Sequence, residues 1–436
     1  MGKIVNMAFV ADLHIHSRFA RACSRDLNIN TLSSWAKYKG IDLVGTGDSL
    51  HPLWQTELKR DLKEMGDGTY EPKATGTSGQ GAVRFLVTAE VACIYSEGGQ
   101  VRRIHTLIML PSLDAAAKLS EVLMKRGCNV SSDGRPILGL SSKALCEIVF
   151  KVEPQAIIIP AHIWTPWFSL YGSNSGYDKF EDCFGEFSDQ IYGIETGLSS
   201  EPAMNWRVGD LDNKSIVSFS DLHSLPRMGR EVTIFGGDLS YQGLRQALQK
   251  QNIVGTIEFF PEEGKYHYSG HRNCGIVYNP AQLKEKGKVC PVCKRPLTVG
   301  VMQRVEDLAT RTSAELRIKN VEGVTKSEAF PNRPGFRMLV QLEEILAEAI
   351  GTSVNSKKVK EEYLRLVTTL DPELKILTKT SLDLISMAAG EKVAEGVKKV
   401  RAGDIHIEPG YDNTYGIVKI WSEEELKPQE EQIGLF

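Results

Sequence analysis

Apolar residues fall in short continuous runs through roughly the first 260 positions, separated by stretches with helical spacing. Residues 5–10, 41–44, 83–91, 104–110, 156–160, 191–195 and 215–219 read as strands. Several are apolar at nearly every position, as in strands buried on both faces of a parallel sheet. Residues 31–39, 113–125, 142–150, 202–208 and 241–251 read as helices. Several have Ser, Asn or Asp near the start, whose side chains satisfy the free N–H groups of a first turn. About seven strand–helix units predict an α/β fold, a distorted seven-stranded (β/α) barrel. Gly- and Thr-rich residues 66–81 read as a surface insertion, and the aromatic, Gly/Ser-rich stretch 164–184 as a long functional loop. Residues 262–269 look like a linker into a small cysteine module. From about Arg304 the pattern turns mainly helical, with amphipathic stretches at 337–350, 357–366 and 382–400 and a short strand-like end over 405–420. The divisions expected are 1–262, 263–303, 304–422 and a flexible, acidic tail over 423–436. No internal repeat is present in the sequence.

Composition narrows the class only slightly. A chain of 436 residues exceeds one comfortable core, so two or three domains are expected. Charged residues make up 25% and hydrophobic ones 42%, with a formal net charge of −3. Any basic surface for nucleic acid must therefore be a local patch. Neither a signal-like leader nor an apolar run of membrane-spanning length occurs, so a cytoplasmic protein is expected, without a membrane partner. The eight cysteines agree: three cluster at Cys274, Cys290 and Cys293, and the scattered remainder is odd in number, which suits a reducing compartment.

The chemistry lies at the strand ends. His14 and His16 close the first strand and project to the same side, and Asp221 and His223 repeat the pattern after 215–219. Between them, Asp48 follows the second strand, Glu90 lies towards the end of the third, His105 begins the fourth, and His162 follows the fifth. Catalytic groups of such barrels gather at the carboxyl ends of strands. Mixed imidazole and carboxylate in this number suits two or three divalent ions (zinc, manganese, magnesium or iron) rather than one. Separately, His271-x-x-Cys274 and Cys290-Pro-Val-Cys293 have the spacing of a four-ligand structural zinc site, with His267 nearby as a rival to His271. Such a ribbon serves either as a nucleic-acid clamp or as a staple.

His14-x-His16, Glu90, His105, His162 and Asp221-x-His223, in this order, resemble the PHP (polymerase and histidinol phosphatase) phosphoesterase family over residues 7–260. The resemblance implies a distorted seven-stranded barrel with two or three metals in its cleft. It also implies Glu90 as bridging carboxylate and Asp221 and His223 beside it as catalytic groups. Two departures stand out. Thr46-Gly47-Asp48 replaces the family's Thr-Asp-His, so Asp48 is expected to take a histidine's place as ligand. Arg21 stands where an Asp is usual, with Asp26 as a substitute only on a longer loop.

A PHP barrel followed by a zinc ribbon and a helical domain resembles the endonuclease Q family. So do the phrases Asp12-Leu13-His14-Ile15-His16-Ser17-Arg18-Phe19, His51-Pro52 and Gly403-Asp404-Ile405-His406-Ile407-Glu408-Pro409-Gly410-Tyr411. That resemblance implies nicking of DNA 5′ to deaminated bases (uracil, hypoxanthine, xanthine) and abasic sites. Trp164, Trp167 and Phe168, beside His162, are expected either to stack on bases or to pack as a lid. Arg18, Arg21, Arg227 and Arg230 are expected phosphate contacts. The last residues, Gln432, Ile433, Gly434, Leu435 and Phe436, resemble the peptide with which bacterial repair proteins bind the DNA sliding clamp, unless they fold back onto the chain. Two rivals remain: a PHP phosphatase for a small phosphoester, and a non-catalytic DNA-binding scaffold.

Overall fold

The structure, a computed structural model, describes residues 8–73, 82–422 and 425. The first strand, Ala8–Asp12, is the hub of a large mixed sheet. On one side it runs parallel to Leu43–Gly45, itself parallel to Arg84–Glu97. On the other it is antiparallel to Val232–Gly236, which pairs antiparallel with Ile253–Glu258. Gln100–Leu110 returns antiparallel along Arg84–Glu97 and carries Ile157–Pro160 on its far side. Gly193–Glu195 and Ser215–Val217 form a separate parallel pair, tied in where Ile163 N–H donates to the Glu195 carbonyl.

The all-parallel expectation fails at several pairings, and at one of them the reason is local. Gly98 and Gly99 have φ of 59° and 75°. Two successive positive-φ residues make the tight turn whose twist matches a β-hairpin. The runs read as separate strands over 83–91 and 104–110 are therefore one long hairpin, whose polar tip carries no burial signal. Part of the expected insertion also belongs to the sheet: Tyr70–Pro72 is a buried strand paired with Leu62–Glu64. Residues 74–81 lie outside the described residues.

Helix Ile29–Lys39 starts on Asn28, whose side chain accepts from the N–H groups of Asn30 and Thr31 while the Thr31 hydroxyl accepts from the Asn28 N–H. Helix Leu113–Lys125 takes its predicted bounds, capped by Ser112. Beyond Arg304 the chain is less helical than its pattern suggests. Ile318–Val321, Val324–Ser327 and Gly335–Met338 extend the main sheet, the last parallel to Ile253–Glu258. Arg337 and Met338 thus belong to a strand, and the helix after them is Leu342–Ile350. Lys357–Thr369, Glu373–Thr378, Leu382–Ala389 and Glu391–Ala402 follow, the last two separated by Gly390 at φ 90°.

These helices share one apolar core with the sheet region, Leu342, Ile345 and Tyr363 continuing the cluster of Leu32, Ala36 and Trp54. A buried ion pair fixes the contact: Lys39 Nζ lies 2.5 Å from Glu373 Oε2. Glu373 also accepts from the Tyr363 hydroxyl at 2.7 Å and from Leu342 N–H at 3.1 Å. Removing one partner of such a pair strands a buried charge, at about 3–5 kcal/mol. Among the described residues no helix is long and apolar enough to cross a membrane.

Candidate metal centre

Two ligand motifs are zipped side by side. Ile15 and Leu222 form a parallel bridge, with His16 N–H donating to the Leu222 carbonyl at 3.1 Å, so the His14/His16 and Asp221 segments face one cleft. His14 Nδ1 donates to Glu195 at 2.9 Å, and His16 Nδ1 to Asp48 Oδ1 at 2.9 Å. A carboxylate only accepts, so each Nδ1 carries hydrogen and each Nε2 is the atom left for a cation. Both Nε2 atoms and Asp221 Oδ1 are buried without a hydrogen-bond partner. Together with Glu90 they converge, one atom from each residue lying within 4.8 Å of the others. His14 Nε2 and His16 Nε2 are 3.4 and 3.3 Å from Glu90 Oε2, and His16 Nε2 is 3.2 Å from Asp221 Oδ1. Buried nitrogen and oxygen atoms that converge without hydrogen-bond partners are what a divalent cation satisfies, so this donor set fits a metal.

The other oxygen of Glu90 serves a second set. Oε1 lies 2.7 Å from His105 Nδ1 and 3.3 Å from His162 Nε2, which are 3.2 Å apart. Glu90 therefore spans two ligand groups. Burial alone would push the His14 and His16 imidazoles down. The carboxylates around them override it, Glu195 foremost for His14 and Asp48 for His16, and hold both well above the ordinary histidine range. Glu90 is the converse: burial opposes its charge, yet His105, His14 and Arg135 hold its carboxyl far below the usual value. His105 itself is pushed down by burial, to about 4, against the pull of Glu90.

The third ligand set does not assemble among the described residues. Asp48 turns away from the cluster: its oxygens accept from His16 Nδ1, from Ser17 N–H at 2.6 Å and from Ser17 Oγ at 2.6 Å. As placed, both of its oxygens accept hydrogen bonds, and Asp48 is in neither converging group. His223 stands at the rim, one-third exposed, its Nδ1 donating to the Asp221 carbonyl at 2.9 Å and its ring 4.7 Å from that of His16. Arg21 is exposed and paired with Asp133, and Asp26 lies in an exposed turn with Ser24.

Asp48, His162 and Asp221 all have left-handed backbone, at φ 48°, 31° and 46°. Such conformations cost about 1–3 kcal/mol each and gather at functional sites. The fold leaves room for one of them with a glycine: a Cβ on Gly197 would sit 2.2 Å from His162 Cβ.

The cysteine module is a hairpin of Ser269–His271 and Ile276–Tyr278 followed by helix Pro280–Lys286. His271, Cys274, Cys290 and Cys293 offer atoms within 4.8 Å of one another, and His271 Nδ1 is 3.5 Å from Cys293 Sγ. His267 is not in the group; it is buried in the linker, where burial pushes its imidazole down to about 4. Gly275 at φ 64° and Lys294 at φ 63° make the two tight turns. The module's own core is small, Tyr278, Leu283, Cys290 and Leu297. It is stapled from far away by Asp412, which accepts from Arg272 N–H at 2.7 Å and Thr298 Oγ1 at 2.6 Å.

Residues 341–404 match the family model described as the MJ0043 C-terminal domain. The uncharacterized protein YqxK of Bacillus subtilis is 25% identical, covering 94% of this chain and 98% of that one. The uncharacterized protein MJ0043 of Methanocaldococcus jannaschii is 28% identical over 274 residues, and the match spans about a third of that relative's length. Among solved structures, the lesion-specific endonuclease PfuEndoQ from Pyrococcus furiosus is 30% identical, with a TM-score of 0.79 and 98% of each chain covered. Endonuclease Q in complex with a 27-mer duplex carrying an abasic lesion at the active site is also 30% identical, with a TM-score of 0.80, covering 98% of this chain and all of that one. The chain belongs to the endonuclease Q family. Membership places it among endonucleases, enzymes that break phosphodiester bonds.

In this endonuclease Q chain the expected DNA-contact residues divide sharply. Trp164 is fully buried and its indole N–H donates to Asn205 Oδ1 at 2.8 Å, so it packs and cannot stack on a base. Arg230 is also spent inside, donating to the Ser220 carbonyl at 2.8 Å and the Asp221 carbonyl at 3.3 Å, where it braces the ligand loop. Arg227 is held by Glu344 at 2.6 Å and Gln341 at 3.0 Å, both from the helical region. Arg18 pairs with Glu57. Trp167 and Phe168, in contrast, line a cavity of about 440 Å³ together with His105, His162, Lys265 and Tyr266. Three supporting residues escaped the sequence reading as site groups. Glu195 carries a signal, an acid closing an apolar strand. Asp12, which accepts from Ser220 and Gly229 N–H at 3.0 Å each, was visible beside the ligands but has a bracing role. Arg135 lies in a loop with no local signature, and donates to Glu90 Oε2 at 3.1 Å.

Proposed function

We propose that this chain is a DNA repair endonuclease that nicks a strand 5′ to a deaminated base (uracil, hypoxanthine or xanthine) or an abasic site. The observation that carries this reading is Glu90, whose two oxygens face two separate ligand sets beside a cavity walled by aromatic rings. On this reading the sheet and its helices are the PHP barrel, and residues 263–303 are a zinc ribbon with His271, Cys274, Cys290 and Cys293 as ligands. His14, His16, Glu90 and Asp221 would hold one divalent ion, and Glu90, His105 and His162 a second. Such ions supply Lewis acidity, lowering the pKa of water and stabilising negative charge at a phosphodiester.

The chain's own residues do the rest. Asp221, whose Oδ1 faces the cation position, would also orient the attacking water. His223 is fixed with Nδ1 as donor, leaving Nε2 at the rim to hold or release a proton. Phe168 packs 4.8 Å from the His105 ring and Trp167 meets Tyr266 at 5.5 Å, giving apolar faces on which an everted base can stack. Eversion costs a few kcal/mol, least for a mispaired or missing base, so the lesion selects itself in part.

The test uses purified protein with Mn²⁺ or Mg²⁺ and labelled duplexes carrying uracil, hypoxanthine, an abasic site or no lesion. Lesion-dependent nicking that falls on the order of 10⁴-fold in Glu90→Gln and in Asp221→Ala is expected. Hydrolysis of p-nitrophenyl phosphate without DNA nicking would favour the small-ester phosphatase. No hydrolysis at all would favour a scaffold. The terminal anchors Gln432, Ile433, Leu435 and Phe436 lie outside the described residues. They extend the proposal to a sliding-clamp partner, which a synthetic peptide of the last ten residues should bind; a peptide that does not bind removes that partner.

A further inference from the structure

Arg135 sits on the loop Asp133-Gly134-Arg135-Pro136, ahead of the short strand Ile137–Leu138. The loop is fixed in place. Gly134 N–H donates to the Phe19 carbonyl at 3.0 Å, and Ala92 N–H to the Pro136 carbonyl at 3.0 Å. Gly134 itself has no room for a side chain, since a Cβ would lie 2.3 Å from Asp48 Oδ2. The guanidinium is thereby carried to Glu90, donating to Oε2 at 3.1 Å, the same oxygen that faces His14 and His16. Among the described residues Glu90 is its one hydrogen-bond partner, so most of its five N–H donors are unused. The side chain is 29% exposed, so part of it stays open to solvent beside a buried carboxylate. Its charge acts on His105 of one ligand set, on Asp221 of the other and on His223 at the rim.

A guanidinium beside a buried carboxylate is ordinarily read as its counter-ion. Glu90 does not need one once its two ligand sets are filled, because each cation compensates the same carboxylate. An additional positive charge at that spot then raises the potential of a site that is already positive. The arrangement is favourable where a further anion arrives, and guanidinium matches phosphate oxygens in both geometry and charge.

We propose that Arg135 is a phosphate-binding catalytic residue, donating to a non-bridging oxygen of the scissile phosphodiester and to the charge that builds there during cleavage. This rests on the phosphodiesterase reading above. In that reaction one water adds across the P–O3′ bond. Its oxygen bonds to phosphorus, the electron pair of the broken bond and one proton go to O3′, and the other proton is released. Arg135 transfers no proton and forms no covalent bond; it neutralises the oxygens while the bond order changes.

The experiment uses the full-length, metal-loaded protein and its Arg135→Ala and Arg135→Lys forms on an abasic duplex. In Arg135→Ala, kcat should fall about 10²–10³-fold, as when one preorganised donor is lost from a developing anion, with KM changing far less. Lysine, lacking the planar fork, should recover little of it. Added guanidinium ion should raise the rate of Arg135→Ala and leave the unsubstituted protein unchanged. Metal content by elemental analysis should be the same in all three. Inorganic phosphate, titrated calorimetrically into metal-loaded protein, should bind at least about tenfold more weakly to Arg135→Ala, the equivalent of one charge-assisted contact. An unchanged kcat, no rescue by guanidinium, or loss of metal from Arg135→Ala would each overturn the assignment, the last by showing a counter-ion of Glu90. If the unsubstituted protein nicks no lesion, the function reading fails instead. The phosphate titration then still decides on Arg135: unchanged binding overturns the assignment, and weakened binding upholds its phosphate-binding part.

Discussion

The buried centre around Glu90 draws on residues from His14 to Asp221, whereas the cysteine module takes its whole ligand set from residues 271–293. In the first, most supporting hydrogen bonds join segments far apart in the sequence. Glu195 holds His14, Asp48 holds His16, and Asp12 and Arg230 brace the Asp221 loop from opposite sides. In the second, Cys293 is exposed, the surrounding apolar core is four residues, and the turns are local. On the proposed reading, the difference separates two ways of using a cation. A centre whose geometry is held by a large core needs the ion for chemistry and keeps its shape without it. A module with little core of its own gains its folding free energy from the ion itself.

The strongest way to break this comparison is chelation. Stripping metal should unfold residues 267–300 while leaving the sheet intact, since a structural zinc contributes about 10 kcal/mol or more to such a module. Hydrogen exchange read by region checks this, with Cys290→Ser as its genetic counterpart. Equal loss of protection in both regions would show that the buried centre is not preformed. A smaller effect is expected at the carboxylates behind the ligands. Glu195→Gln removes the charge that fixes His14 but leaves every ligand in place, so divalent-ion affinity should fall about 10–100-fold with little change in melting temperature. An unchanged affinity would mean that packing alone orients His14.

A further effect is set by pH. His14 and His16 are held protonated in the metal-free centre, with pKa values raised above the ordinary histidine value of 6.5. A cation must displace those protons to reach each Nε2. Affinity should therefore rise with pH through and above that value, by up to about tenfold per unit for each proton released, and flatten once both imidazoles are neutral. Isothermal titration in buffers of different ionisation enthalpy reads the proton count directly. The cysteine module should differ in kind, its pH dependence following thiol ionisation instead.

Much of the site was legible because metal chemistry restricts residue type and the strand restricts position. His14, His16, Glu90, His105, His162 and Asp221 each stand next to or within an apolar run, and the fold brings these six into two adjoining groups. Asp48 was legible as a site residue but its contacts were not, because what a carboxylate meets depends on which way its oxygens face. Trp164 and Trp167 look equivalent three positions apart, yet one is packed against Asn205 and the other lines the cavity. The same ambiguity hid the hairpin turned by Gly98 and Gly99: its polar end gives no periodic signal, and both antiparallel and parallel strands read as apolar runs.

Local chemistry, then, was determined by sequence alone: where strands end, which side chains there can bind a cation, and the spacing that closes the cysteine module. Those properties follow from one or two residues and their neighbours. Tertiary structure decided everything that depends on distance through space. It joined the His14 and Asp221 segments through the Ile15–Leu222 bridge, turned Asp48 onto His16, spent Arg227 and Arg230 on internal contacts, and brought Arg135 to Glu90. A side chain's partners are set by what the whole fold places within a few ångströms of it, and no pattern along the chain encodes that distance.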